Sequence, residues 1–144
     1  MLQKVKEIIL EHDLAVLATC LENKPHCSLM AYVPDSECRI LRMLTLKDSR
    51  KYFNISRNPR VSLLIDTRNP ETPREEFKAL TISGVCVEAS TKEQRSLKEM
   101  LTRKHVQLKG LAGSEDSIVL EVSIESLQLL EGAEKASYFD LSGS

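Results

Sequence analysis

Between residues 47 and 60 the sequence carries five cations, Lys47, Arg50, Lys51, Arg57 and Arg60, against a single acid, Asp48. Ser49, Arg50 and Lys51 stand where the pattern opens a short helix. A helix N-terminus exposes unpaired backbone N–H groups and the positive end of the macrodipole. A serine hydroxyl, a forked guanidinium and an ammonium at that place make an anion site, most naturally for phosphate. The same residues also suit a plain helix start, with Asp48 or Ser49 as the cap and both cations in solvent. Two cations at the positive end of a dipole are repelled by it, which favours an anion outside the helix that offsets them.

The other reactive side chains form weaker constellations. His26 and Cys27 are neighbours on an extended segment, so they point to opposite faces and cannot act as a nucleophile–base pair. Cys20, Cys27, Cys38 and Cys86 include no Cys-x-x-Cys pair, and His12, His26 and His105 are as widely scattered. That spacing predicts neither a metal site nor a disulfide. Gly84, Gly110, Gly113, Gly132 and Gly143 form no glycine-rich phosphate loop, which removes the Rossmann and P-loop fingerprints. With no Trp, three Tyr and three Phe, base stacking on aromatic platforms is not expected.

The chain has 144 residues, a formal net charge of -1 and 42% hydrophobic residues. These values fit one domain with its own core and argue against a nucleic-acid or anionic-membrane surface. No apolar run reaches the ~18 residues of a membrane span. The run at 14–21 follows Glu7, Glu11 and Asp13 rather than a basic segment, so no signal peptide is read and a cytoplasmic location is expected. The near-neutral total conceals an asymmetry: from 111 to 144, seven acids stand against one base, Lys135.

The elements that must position these residues follow from periodicity and turn signals. Leu2, Val5, Ile8 and Ile9 share one helical face. Strands are expected at 14–21, 26–33, 38–46, 61–65 and 77–89, with Gly84 marking a bulge or a close approach in the last. Short polar turns between the first three indicate an antiparallel meander. The short helix opened at Ser49 stops at Asn58, because a residue before proline is pushed out of helical geometry. Residues 66–76, with Pro70 and Pro73, read as an exposed loop. Thr91 and Gln94 have capping-box spacing for a helix that turns Leu97, Met100 and Leu101 inward and ends before Gly110. Ile118, Leu120, Val122 and Ile124 alternate with Val119, Glu121, Ser123 and Glu125 as a sixth strand, and the residues from Gly132 read as a tail. The fold expected is α+β and mainly β: a six-stranded antiparallel split barrel with peripheral helices, one domain over 1–131 and a tail over 132–144.

Thr45-Leu46-Lys47-Asp48-Ser49-Arg50-Lys51, followed by Asn54-Ile55 and by Asn58-Pro59-Arg60-Val61-Ser62-Leu63-Leu64-Ile65-Asp66, resembles the pyridoxamine 5′-phosphate oxidase-like superfamily of FMN-binding split barrels. Upstream, Leu14-Ala15-Val16-Leu17-Ala18-Thr19 and Lys24-Pro25-His26-Cys27-Ser28 resemble that family's first hairpin. The resemblance implies a homodimer with FMN at the subunit interface and a small-molecule electron donor and acceptor. It implies that Arg50 and Lys51 hold the FMN phosphate, helped by Ser49 and by Thr45, with Leu44 beside it. Ser28, Leu29 and Met30 would line the isoalloxazine ring. The family's substrate residues are matched less well. No Arg-x-His segment closes the chain, Ala31-Tyr32-Val33 stands where those enzymes carry a lysine, and the region of Ala79 lacks their glutamine. The implied function is therefore a flavin-dependent oxidoreductase that does not synthesise pyridoxal phosphate. A non-catalytic module that binds or senses FMN, haem or a deazaflavin is the alternative.

Overall fold

The computed structural model describes residues 3–142; Leu2 and Gly143, used in the patterns above, lie outside them. In chain order the elements are α1 (Gln3–Glu11), β1 (Leu14–Leu21), β2 (Lys24–Ala31), β3 (Val33–Pro34), β4 (Ile40–Leu46), α2 (Arg50–Arg57), β5 (Arg60–Asp66), β6 (Lys78–Glu88), α3 (Thr91–Lys104), α4 (Lys109–Ala112), β7 (Ser117–Glu131) and β8 (Lys135–Asp140). The pairings are all antiparallel and run β2-β1-β5-β6-β7-β4-β3, with β8 paired to β7. The chain is thus α+β and mainly β, and its sheet curls into a split barrel. β2 and β4 approach each other without forming a ladder, and the split lies between them.

Local chemistry explains these boundaries. Glu22 and Asn23 both have positive φ, the geometry of the two-residue hairpin turn whose twist suits antiparallel strands. Pro25 is tolerated in β2 because β2 is an edge strand. β4 begins at Ile40 rather than at 38. Asp35 Oδ1 accepts the N–H groups of Arg39 and Ile40, and Cys38 sits at φ 57, so 35–39 is a turn. Gly84 is both of the things its position implied. The β6–β7 register shifts there, and a Cβ at Gly84 would collide with the Ser123 carbonyl oxygen. The α3 cap is shifted by one residue from expectation: Ser90 precedes the helix and its Oγ donates to Glu93. Gln94 instead clamps the helix to the sheet, donating to the Ala89 and Val119 carbonyls and accepting the Val119 N–H.

Among the described residues there are eight strands rather than six. β3 is a two-residue pairing with β4, too short for a periodic signal. β8 is built from residues read as tail; after the turn at Gly132 (φ +65) it pairs with the end of β7, along the edge that β4 covers further up. β7 runs 15 residues, past Glu125 where the alternation fades, because both of its edges stay paired.

Two apolar cores result. The larger fills the barrel, with Leu17, Leu41, Met43, Leu63, Ile65, Leu80, Ile82, Leu120 and Leu127 at its centre and α1 over one end through Val5, Ile8 and Ile9. The smaller lies outside β4 and β7, where Leu44 and Val119 meet Leu97 and Leu101 of α3, with Leu108 and Leu111 packed against it. This explains why Ile118, Val119 and Leu120 are all buried although they alternate in direction. No helix of the described residues is long and apolar enough to cross a membrane.

Candidate functional site

The split between β2 and β4 opens into a cavity of about 240 Å³. Leu29, Met30 and Ala31 of β2 form one wall and Leu44, Thr45 and Leu46 of β4 the other; Ser49 and Lys51 stand at one end, and Leu108 and Leu111 close the side. Thus Leu29, Met30, Leu44, Thr45, Ser49 and Lys51, six of the eight residues singled out from sequence, share one cavity. The middle is apolar, the Lys51 end is cationic, and β2 contributes the unpaired backbone N–H and C=O groups of an edge strand.

Ser49 caps α2, and its hydroxyl is fully used in doing so. Its Oγ donates to the Leu46 carbonyl at 2.7 Å and accepts the Tyr52 N–H at 3.3 Å. The Thr45 hydroxyl, 3.2 Å away, then donates to Ser49 Oγ. With that cap taking one N–H of the first turn, those of Arg50 and Lys51 still lack an intrahelical acceptor. The helix is anchored by Asn54, 2% exposed, whose Nδ2 donates to the buried Thr19 hydroxyl at 3.0 Å. Asn58 closes the far end by donating to the Cys20 carbonyl. β1 therefore fixes α2, and α2 fixes the cationic end of the cavity.

The other two expected residues lie elsewhere. Ser28 lies one position before the β2 wall, on the inner face with Met30, and its hydroxyl is buried without a hydrogen-bond partner. Arg50 turns into a separate cavity of about 360 Å³ on the other side of α2, lined with Lys24 and His26 of β2 and with Phe53 and Arg57 of α2.

Three contributors were not singled out from sequence. Leu108 and Leu111 close the cavity from a segment held by His105, which is 3% exposed and donates from Nε2 to the Tyr32 carbonyl at 2.9 Å. A carbonyl can only accept, so Nε2 carries the proton. Tyr32 is itself locked, with its hydroxyl donating to the Ile9 carbonyl at 2.7 Å; burial first, and then the Asp13 charge, raise its phenol well above the usual range. The third is Asn54, visible in sequence only as part of the family-like motif. The i, i+3 spacing of Leu108 and Leu111 was the available signal for the wall, but Gly110 between them obscured it.

An apolar sheet face continues from the cavity. The outward residues of β2, β1 and β5 form cross-strand rows, Leu29 beside Val16 beside Leu64, and Cys27 beside Ala18 beside Ser62. Leu29 is 67% exposed, and Leu14 and Leu64 are also exposed. The face bears no charged side chain along these rows.

Comparison with known proteins places this geometry. A family model described as pyridoxamine 5′-phosphate oxidase matches residues 1–131. A Schizosaccharomyces pombe protein named as a pyridoxamine 5′-phosphate oxidase homolog is 28% identical over 161 residues, covering 89% of this chain and 84% of that protein. A heme binding protein from Mycobacterium smegmatis superposes with a TM-score of 0.83 at 16% identity, covering 96% of this chain; the chain spans 57% of that protein's length. A FAD-binding protein from Mesorhizobium loti superposes with a TM-score of 0.73 at 12% identity, covering 90% of this chain and 93% of the other.

Proposed function

Because the chain belongs to the pyridoxamine 5′-phosphate oxidase family, we propose that the split cavity holds FMN and that the protein is a flavin-dependent oxidoreductase. The observation that carries this reading is the convergence of an apolar slot, an edge strand and an unpaired ammonium on one cavity. An isoalloxazine ring is a flat apolar body with hydrogen-bonding edges, and Met30, Leu44, Leu108 and Leu111 offer it apolar walls. The free backbone groups of β2 suit its polar edge. Lys51, with the free N–H groups of the α2 first turn, holds the phosphate end, while Thr45 and Ser49 keep that turn in place through their mutual hydrogen bond. Arg50 adds charge from the far side of the helix. When bound, FMN supplies hydride or single-electron transfer, and the protein supplies orientation, water exclusion and field.

We further propose that a second copy of the chain covers the Leu14, Leu29 and Leu64 face. Small-molecule sites usually enclose about 300–1,000 Å³, and the cavity here is smaller and ends at Leu29, which belongs to that face as well. A partner seated there would complete the wall.

A second reading is a module that holds its ligand without turnover. It is favoured by the cavity lining, which includes no Asp, Glu, His, Cys or Tyr to move protons. Haem fits this lining less well, since it holds no His, Cys or Tyr and leaves only the Met30 thioether and the Lys51 amine to ligate iron. One experiment addresses both readings: titrate the purified protein with FMN, then add NADH or NADPH and an acceptor. Flavin binding with catalytic reduction supports the enzyme; binding with no turnover supports the module. A protein with no affinity for FMN refutes both flavin readings.

A further inference from the structure

The second cavity, between the β1–β2 turn and α2, shares no lining residue with the split cavity and enters the flavin reading only through the screened charge of Arg50. Lys24, His26, Arg50 and Arg57 line it, against one acid, Glu22. Lys24 and Arg50 form no ion pair with any described residue, and Arg57 donates only to the Phe53 carbonyl, at 3.4 Å. An ordinary protein surface intersperses both signs, so three unpaired cations and an imidazole around one concavity need an anion of their own. An aromatic ring stands on α2 among these cations. Phe53 is 43% exposed, and the Arg57 guanidinium lies 3.7 Å from its ring centroid, a stacked pair that presents a planar surface. The volume, about 360 Å³, falls in the small-molecule range. The floor is rigid, because Asn54 lines it while bonded to Thr19.

Cations beside a planar stack are the chemistry that recognises a phosphorylated nucleoside, with the base on the stack and the phosphates on the cations. Glu22, at the tip of the turn, is placed for ribose hydroxyls, which can donate to a carboxylate. We propose that this cavity binds the phosphorylated adenosine end of a dinucleotide, beside and distinct from the phosphate end of the flavin. The proposal rests on the flavin reading only for its purpose: the dinucleotide is either a nicotinamide donor or a flavin whose own adenylate reaches round α2.

The probe is ADP, titrated by calorimetry into the full chain, with and without saturating FMN. ADP should bind once per chain in both cases. Arg50→Gln and Phe53→Ala should each weaken it about tenfold or more, and Lys51→Ala, across the helix, should leave its affinity within about twofold. Both variants change exposed side chains, and unchanged FMN affinity in Phe53→Ala shows that the fold is intact. Competition then separates the sources. NADH displacing ADP while FMN stays bound identifies the donor, and FAD displacing ADP and FMN together identifies the flavin; either supports the site. Absence of ADP binding overturns the proposal. Mutual exclusion of ADP and FMN also overturns it, because Arg50 then serves the flavin phosphate. If ADP binds and FMN does not, the flavin reading fails and the adenylate site stands.

Discussion

Replacing Lys51 by alanine removes the ammonium at the cationic end of the split cavity and leaves the rest of the lining in place. The side chain is half-buried and forms no ion pair with any described residue. Its loss therefore orphans no neighbour, and the measured effect is that of the missing contact alone. A hydrogen bond to a charged group contributes about 1.5–3 kcal/mol, and partial exposure places this one in the lower half of that range. At about 1.4 kcal/mol per tenfold, FMN affinity should fall about 10- to 50-fold. Riboflavin has the same ring and ribityl chain but no phosphate, so its affinity should change by less than about twofold, since only the long-range field is lost. Arg50→Ala should weaken FMN by less than about threefold, because Arg50 faces the other cavity and acts only through screened charge. Fluorescence titration of both flavins against the three proteins at two salt concentrations measures this. Equal weakening of FMN and riboflavin by Lys51→Ala would refute the assignment of Lys51 to phosphate. An Arg50 effect larger than that of Lys51 would refute the division of the two cations between cavities.

Other expectations follow from the packing. Gly84→Ala places a Cβ against the Ser123 carbonyl in the middle of the β6–β7 ladder, and thermal denaturation should show a loss of about 3 kcal/mol. Asn54→Ala leaves the buried Thr19 hydroxyl without its donor and should lower stability by about 2–3 kcal/mol, or Tm by about 5–10 °C; a change under 1 °C would show that α2 is held otherwise. Cys27 is exposed, whereas Cys38 and Cys86 are buried, and burial raises both of the latter thiols, Cys86 to about 12. A thiol reagent should therefore modify Cys27 first and reach Cys38 and Cys86 only on unfolding, and fast reaction of either would contradict the core described. The hydrogen bond from Arg68 holds Asp66 below the ordinary carboxylate range, and that from Lys4 does the same for Glu131. Groups depressed in this way stabilise the fold above their unfolded pKa and lose that contribution as pH falls through the folded value. Tm should be flat above about pH 5 and fall below it, and Glu131→Gln should make the fall shallower.

The order of strands and helices was legible because each segment carries its own signal. Leu14–Leu21 is largely apolar, broken only by Thr19, Asn58-Pro59 is a helix stop, and Gly84 stands alone in a strand-like run. Leu44, Thr45, Ser49 and Lys51 meet in one cavity because they flank one helix start and the strand before it, and local sequence records such adjacency; Leu29 and Met30 reach it from β2, across the split. The separation of Arg50 from Lys51 was not legible, because neighbouring helix positions differ by about 100° in direction and only the packing of α2 on β1 says which faces the split. Ser49 was read as a donor toward the ligand, but its donor is committed to Leu46, a bond set by turn geometry. β8 was missed because Lys135-Ala136-Ser137-Tyr138-Phe139-Asp140 has little to bury; it forms because β7 still has a free edge there. The lid residues Leu108 and Leu111 depend on a buried hydrogen bond between His105 and Tyr32, 73 residues apart, which no local pattern can contain.

The long β7 strand also governs the order in which the barrel can be made. β4 and β6 both take β7 as a ladder partner, and β7 leaves a ribosome after both. Until residue 117 and those after it emerge, β4 lacks its long partner and β6 pairs only with β5. A nascent chain that has already completed β1, β2, β5 and β6 therefore carries two unsatisfied strand edges and an open core. Such edges recruit other chains, and long-range pairings of this kind close slowly. Synthesis thus passes through an interval in which β1 to β6 await the 15 residues of β7, and the yield of folded barrel depends on how quickly that interval closes relative to aggregation.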